Sequence, residues 1–191
     1  MSVGPGAATG APAIVSPGSV VAEPWANGLG ITRVLARRLA WRLSLAEIRG
    51  RSVFSTFPDT DRLLVLAGDQ QLTLAIDGAV HRLDPGDMVR FPGEARVIPT
   101  PTSAGALVVN LMTPRVLARG ESRIAHVDGS LRIPADNVEP AVVLTTGLSL
   151  EGERLPVGTA LLPGAAATRR LEGRGVVARF SIHPVPAPPT A

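Results

Sequence analysis

One arginine and one asparagine stand in apolar strands where a polar group needs a reason to be, and a second arginine stands beside two phenylalanines and two aspartates. Arg42 lies in WRLSLAEI, Arg62 closes FSTFPDTDR, and Asn110 is embedded in ALVVNLM. A guanidinium grips a carboxylate through two parallel hydrogen bonds, so Arg42 or Arg62 could anchor an acidic ligand. Arg42 must either reach water or be paired inside the fold, and Ser44 shares its face two residues on. Asp61 offers a competing reading, an ion pair with Arg62 or Arg42 that merely braces a loop. Asn110 is either a satisfied core amide or the donor and acceptor that read a formyl, amide or carboxylate group. Met112, on the same face, would supply an adaptable apolar wall. Together with Asn27, Thr32 and Ser55, these residues form a polar patch in apolar surroundings, which is the character of a small-molecule site.

Other chemistries find less support. NGLGIT (27–32) lacks the Gly-Lys-Ser/Thr ending of a phosphate loop and the setting of a dinucleotide fingerprint. It predicts a tight turn, with Gly28 and Gly30 at positive φ and backbone N–H groups free for an anion. No Gly-x-Ser-x-Gly elbow is present, so no catalytic residue is assigned. The chain has no cysteine, and its three histidines, His81, His126 and His183, are isolated in sequence. Neither a metal nor another cofactor is expected.

These side chains must be positioned by short strands. The 191 residues are 45% hydrophobic, enough for a core, and 20 glycines and 18 prolines punctuate them too often for long helices. In LTLAI, Leu72, Leu74 and Ile76 share one face. In ALVVNLM, Leu107, Val109 and Leu111 oppose Val108, Asn110 and Met112. TRVLARRLAWRLSLAEI is read as two strands. An internal repeat relates LDPGDMVRFPGEA, from Leu83, to LPVGTALLPGAAA, from Leu155. The segment 63–74 precedes the first copy as 142–150 precedes the second, and 106–114 corresponds to 175–184. An all-β fold follows, with two tandem antiparallel halves of jelly-roll type over residues 20–115 and 116–184. Residues 1–19 and 185–191, small and rich in Gly and Pro, are expected to be flexible tails.

Charge excludes further classes. All 19 basic residues are Arg, with no Lys, Tyr or Cys, so a net charge of only +3 persists to high pH. The arginines are dispersed and only six residues are aromatic, so nucleic acid is not an expected partner. No apolar run reaches membrane-spanning length and the N-terminus has no leader, which makes the expected location cytoplasmic, without membrane.

The string L-x-P-G-D-x-V-x-F-P-G resembles the later half of the cupin pattern, and two such units would make a bicupin. The segment that carries His-x-His in metal-binding cupins is here LAGDQQLTL, without histidine. PWANGLGITR (24–33), WRLSLAEI (41–48), FSTFPDTDR (54–62), FPG (91–93) and NLMT (110–113) follow one another as in the HutD/Ves family. The resemblance covers roughly residues 24–115. It implies a bicupin without established catalytic activity, associated with histidine utilisation or stress responses. Ala26 replaces the family's Lys and Val108 its Asp, which would remove one cation and one carboxylate from any ligand contact. The reading is a metal-independent bicupin that binds a small polar metabolite. The alternative is a metal-independent isomerase, epimerase or lyase using Glu47, Asp61 or a lone histidine as base. Apolar strands to spare would also allow a homodimer.

Overall fold

Backbone sterics place the turns, and the turns define the fold. Asp77–Gly78 has φ of 48° and 90°, and Glu151–Gly152 has φ of 53° and 83°. Two successive positive φ values make the hairpin turn whose twist matches paired strands. The computed structural model describes residues 14–25, 27–135, 137–164 and 168–186. In chain order its strands are β1 (Ile14–Val15), β2 (Glu23–Pro24), β3 (Gly30–Arg38), β4 (Trp41–Ile48), β5 (Thr60–Ala67), β6 (Leu72–Ile76), β7 (Ala79–Leu83) and β8 (Met88–Pro92). There follow β9 (Val97–Pro101), β10 (Ala106–Pro114), β11 (Ala118–Ile133), β12 (Ala141–Val143), β13 (Leu148–Leu150), β14 (Glu153–Arg154), β15 (Ala160–Leu161) and β16 (Arg169–Pro184). TRVLARRLAWRLSLAEI is indeed two strands, β3 and β4, broken at Leu39–Ala40.

Three antiparallel sheets result, ordered β2-β3-β4-β10-β5-β8, β7-β6-β9 and β1-β15-β12-β16-β13-β14, with β11 added along β16. The first two close a barrel over Ile48, Leu64, Leu66, Leu72, Leu74 and Val97. The third curls over its own core of Val143, Leu148, Leu150, Leu171 and Val177.

The repeat is visible in hydrogen bonds. Gly86 N–H donates to Leu66 O and Leu66 N–H to Asp87 O, each at 2.9 Å. In the second half Gly158 N–H donates to Val143 O (2.8 Å) and Val143 N–H to Thr159 O (3.0 Å). Both glycines take positive φ, 90° and 87°. The strand order β10-β5-β8 is matched by β16-β12-β15. The molecule is therefore an all-β bicupin.

Two features differ from expectation. The first expected tail enters the fold from Ile14 onward. Ile14 and Val15 pair with Leu161 and Ala160 of β15, and Val15 packs on the core, because this is where the tail carries apolar residues. In the second expected tail, Val185 N–H donates to Leu117 O at 2.9 Å. Residues 1–13 and 187–191 lie outside the described residues.

The halves share a core. Leu43, Leu45, Val109 and Leu111 from the first pack with Val142, Leu144, Ala178 and Phe180 from the second. Phe180→Ala removes a fully buried ring there and is expected to cost about 3–5 kcal/mol. Scanning calorimetry should show one cooperative transition moved down; two separated transitions would contradict a shared core.

Candidate ligand-binding site

Strand alternation supplies the site. On β4, Leu43 and Leu45 join the shared core, which leaves Arg42, Ser44 and Ala46 facing the first barrel's interior. On β10, Val109 and Leu111 do the same, which turns Asn110 and Met112 inward. Across the ladder Ser44 lies opposite Asn110, and Met112 lies between Arg42 and Arg62. One end of the barrel is filled by the apolar core. The other holds a cavity of about 350 Å³ lined by Asn27, Thr32, Arg42, Ser44, Ser55, Arg62, Asn110 and Met112. Glu23, Trp25, Ala46, Val53, Phe54 and Phe57 complete much of its wall.

Arg62 governs the electrostatics. It is only 6% exposed, and among the described residues no carboxylate pairs with it. Its guanidinium donates to Asn110 Oδ1 (3.1 Å) and to the Ser55 carbonyl (3.4 Å), while Nε is buried without a partner. The rings of Phe91, Phe54 and Phe57 surround it at 5.0, 5.1 and 5.5 Å from its central carbon. Aromatic faces attract a cation, but they do not neutralise it. Burial, and then the like charge of Arg42, push Arg62 down to about 10, so it stays charged at neutral pH. Arg42 is lowered too, by burial and by Arg37, against the pull of Glu23. Its Nη1 lies 3.7 Å from Met112 Sδ, and its Nε is another buried donor without a partner. Because a guanidinium only donates, Asn110 must turn Oδ1 to Arg62, and its amide N–H groups remain for a ligand.

The loop bearing Phe54, Ser55 and Phe57 is held by Gly93. Gly93 N–H donates to Thr60 O (2.7 Å) and Phe57 N–H to Gly93 O (2.8 Å). A Cβ on Gly93 would stand 2.2 Å from Phe57 O, so the backbones approach this closely only because the residue is glycine. The Pro-Gly of the repeat thus sets a cavity wall.

Asp61 is the one candidate residue that the structure places elsewhere. Neighbours on a strand point to opposite faces, so Asp61 cannot share the interior with Arg62. It pairs outside with Arg115 (2.8 Å), which also donates to Glu94 Oε1 (3.0 Å). Asp61 therefore braces a loop, with neither of the partners expected. Gly28 takes the positive φ expected of it, 69°, but Gly30 does not. Gly30 begins β3, where a Cβ would meet the Trp25 ring and Glu47 O at 2.7 Å. Trp25 in turn donates to Thr32 Oγ1 (2.9 Å) and meets the Phe54 ring edge-on at 5.8 Å. Val108 lies in the apolar core beneath the cavity, and Ala26 lies outside the described residues. Trp25 and Phe91 are absent from the sequence reading of the site. Phe91 becomes visible only through its pairing with Arg62 across β5 and β8.

The second half shows what the first lacks. With Val143 aligned on Leu66, ladder register puts Glu139 in the place of Arg62, Arg179 in that of Asn110 and Ser181 in that of Met112. Glu139 pairs with Arg123 (2.9 Å) and Arg179 (3.0 Å) and accepts from Ser181. The Ser181 hydrogen bond and both arginines hold Glu139 below the usual carboxylate range. There the charge is met by protein; in the first half it faces a cavity.

Barrel topology and repeat define a bicupin. The HutD family model matches residues 18–175, and the chain belongs to that family. Protein Ves of Citrobacter koseri is 30% identical over 110 residues, 53% of this chain and 57% of that protein. The chain spans about half the length of the curated relatives it matches. HutD from Pseudomonas fluorescens SBW25, solved in a formate condition, superposes with a TM-score of 0.71 at 23% identity, covering 92% of this chain and 100% of that one. A cupin 2 conserved barrel domain protein from Leptotrichia buccalis reaches 0.54 at 9% identity, over 80% and 88% of the two chains. Among the described residues no helix is long and apolar enough to cross a membrane, and no three His, Cys, Asp or Glu side chains cluster.

Gly93→Ala is expected to displace the Phe54–Phe57 loop, cost about 1–3 kcal/mol and alter the near-ultraviolet circular dichroism of Trp25. An unchanged spectrum and melting temperature would show that Gly93 does not set this wall.

Proposed function

We propose that the protein binds a small carboxylate or formyl/amide metabolite in the first barrel, without metal, as a cytoplasmic regulatory component of histidine utilisation or a stress response. One observation carries this reading: Arg62 is a buried cation whose protein partners are neutral. A bound anion would supply the missing charge, with Arg62 donating through its free Nε and Asn110 through its amide. Phe54, Phe57 and Phe91 would keep water from competing, which strengthens the ion pair. The cavity lining contains one carboxylate, Glu23, and no histidine, so it is better equipped to hold an anion than to move protons. The pathway assignment is supported only by family membership.

Formate, acetate and N-formyl amino acids are the first probes, titrated calorimetrically. Wild-type protein should bind at least one of them saturably, and Arg62→Gln should weaken binding at least tenfold, with NMR showing the compound unchanged. Equal affinity in Arg62→Gln would remove the reading. Affinity should be flat through neutral pH and fall as pH rises through about 10, where Arg62 discharges. The absence of Lys, Tyr and Cys leaves few other groups to titrate there. Asn110→Asp would place a carboxylate on Arg62, as the second half does with inverted charges. It should retain the fold and lose anion affinity by tenfold or more; retained affinity would show that Arg62 is not the anchor.

A further inference from the structure

The cavity has a neighbour. A groove of about 250 Å³ is lined by Arg37, Arg38, Leu39, Trp41, Thr60 and Pro114, and it shares Arg42, Phe57 and Met112 with the cavity as a common wall. Ladder register explains why. Arg37 lies opposite Arg42, Arg42 opposite Met112, Met112 opposite Arg62, and Arg62 opposite Phe91. Directly opposed residues share a sheet face, so one transverse row holds three arginines on the same side. Three interstrand spacings separate the α-carbons of Arg37 and Arg62, about 14 Å, and long side chains can shorten that span.

A bulge puts Arg37 in this row. Register shifts between Val34 and Ala36, so Leu35 is the extra residue of β3. Were Leu35 paired in an unshifted register, Ala36 would oppose Arg42 and Arg37 would turn to the other face. Bulges re-aim side chains next to sites in this way. The result is unfavourable by itself, because like charges directly opposite repel. Arg37 lowers the proton affinity of Arg42 accordingly. Among the described residues no carboxylate forms an ion pair with Arg37, Arg38 or Arg42. Glu23 faces Arg42 from the cavity side, and Arg38 lies over the Trp41 ring at 5.8 Å.

Resting on the anion-binding reading above, we propose that the ligand is an elongated dianion. One acidic group sits against Arg62 and Asn110 in the cavity, and the second lies in the groove against Arg37 and Arg38. The chain between them crosses the wall past Arg42 and Met112. Each end meets cations that no protein carboxylate satisfies, and the apolar Met112 and Phe57 match a methylene chain.

Calorimetric titration of the full-length protein with α,ω-dicarboxylates from malonate to suberate, each against the monocarboxylate of equal chain length, tests this. At one length the dicarboxylate should bind at least tenfold tighter than its monocarboxylate partner. In Arg37→Gln/Arg38→Gln, whose fold is checked by melting temperature, that ratio should fall to about one. A ratio near one at every length in the wild type, or a ratio preserved in the double variant, overturns the second subsite while leaving Arg62-dependent monocarboxylate binding standing. If neither series binds the wild type, the anion-binding reading fails and this inference fails with it.

Discussion

A guanidinium withdrawn from water without a carboxylate beside it is the constraint around which the first barrel is arranged. Burying a charge costs several kcal/mol, and cation–π contacts return about 0.5–2 kcal/mol each. Arg62 is surrounded by three of the chain's four phenylalanines and accepted by one amide and one carbonyl. This arrangement tolerates the charge and leaves it uncompensated. Phe54 and Phe57 serve both as cavity wall and as partners of Arg62, which is why the loop at 54–57 and the turn at Gly93 must be held so closely to β5.

The duplication makes the meaning of that charge clearer. The two halves keep the same glycine turns, hairpin geometry and strand order, and they differ in what occupies equivalent positions. The second half places Glu139 between two arginines and fills its interior with Leu148, Leu150 and Leu171. The first has the cation Arg62 where Glu139 stands and the neutral Asn110 where Arg179 stands, and it leaves a cavity beside them. A paired cluster contributes to holding a fold together, whereas an unpaired one creates affinity for whatever can complete it. The shared core through Leu111 and Phe180 lets the second half support the half that holds the cavity.

The outer charges follow a different rule. Arg115, Asp61 and Glu94 are mutually satisfied near solvent, and Arg115 with Asp59 N–H holds Glu94 down to about 2. That network fastens the ends of β5 and β8 from outside while Arg62 works within. The alternation that expels Asp61 from the interior is the same alternation that admits Arg62.

Much of this was legible in the chain before any coordinates. Period-two alternation is a covalent property of an extended backbone, so Ser44 with Arg42 and Met112 with Asn110 could be assigned to common faces, and the glycine punctuation exposed the repeat. The same rule applied to Asp61 and Arg62 would have separated them. What the chain alone could not determine was which residues meet across strands. That depends on register, which is set by hydrogen bonds between segments far apart in sequence and by one bulge at Leu35. Register brought Phe91 to Arg62, put Arg37 opposite Arg42 and left Arg62 without an acid. Packing then decided that the first barrel keeps a cavity beside its apolar core.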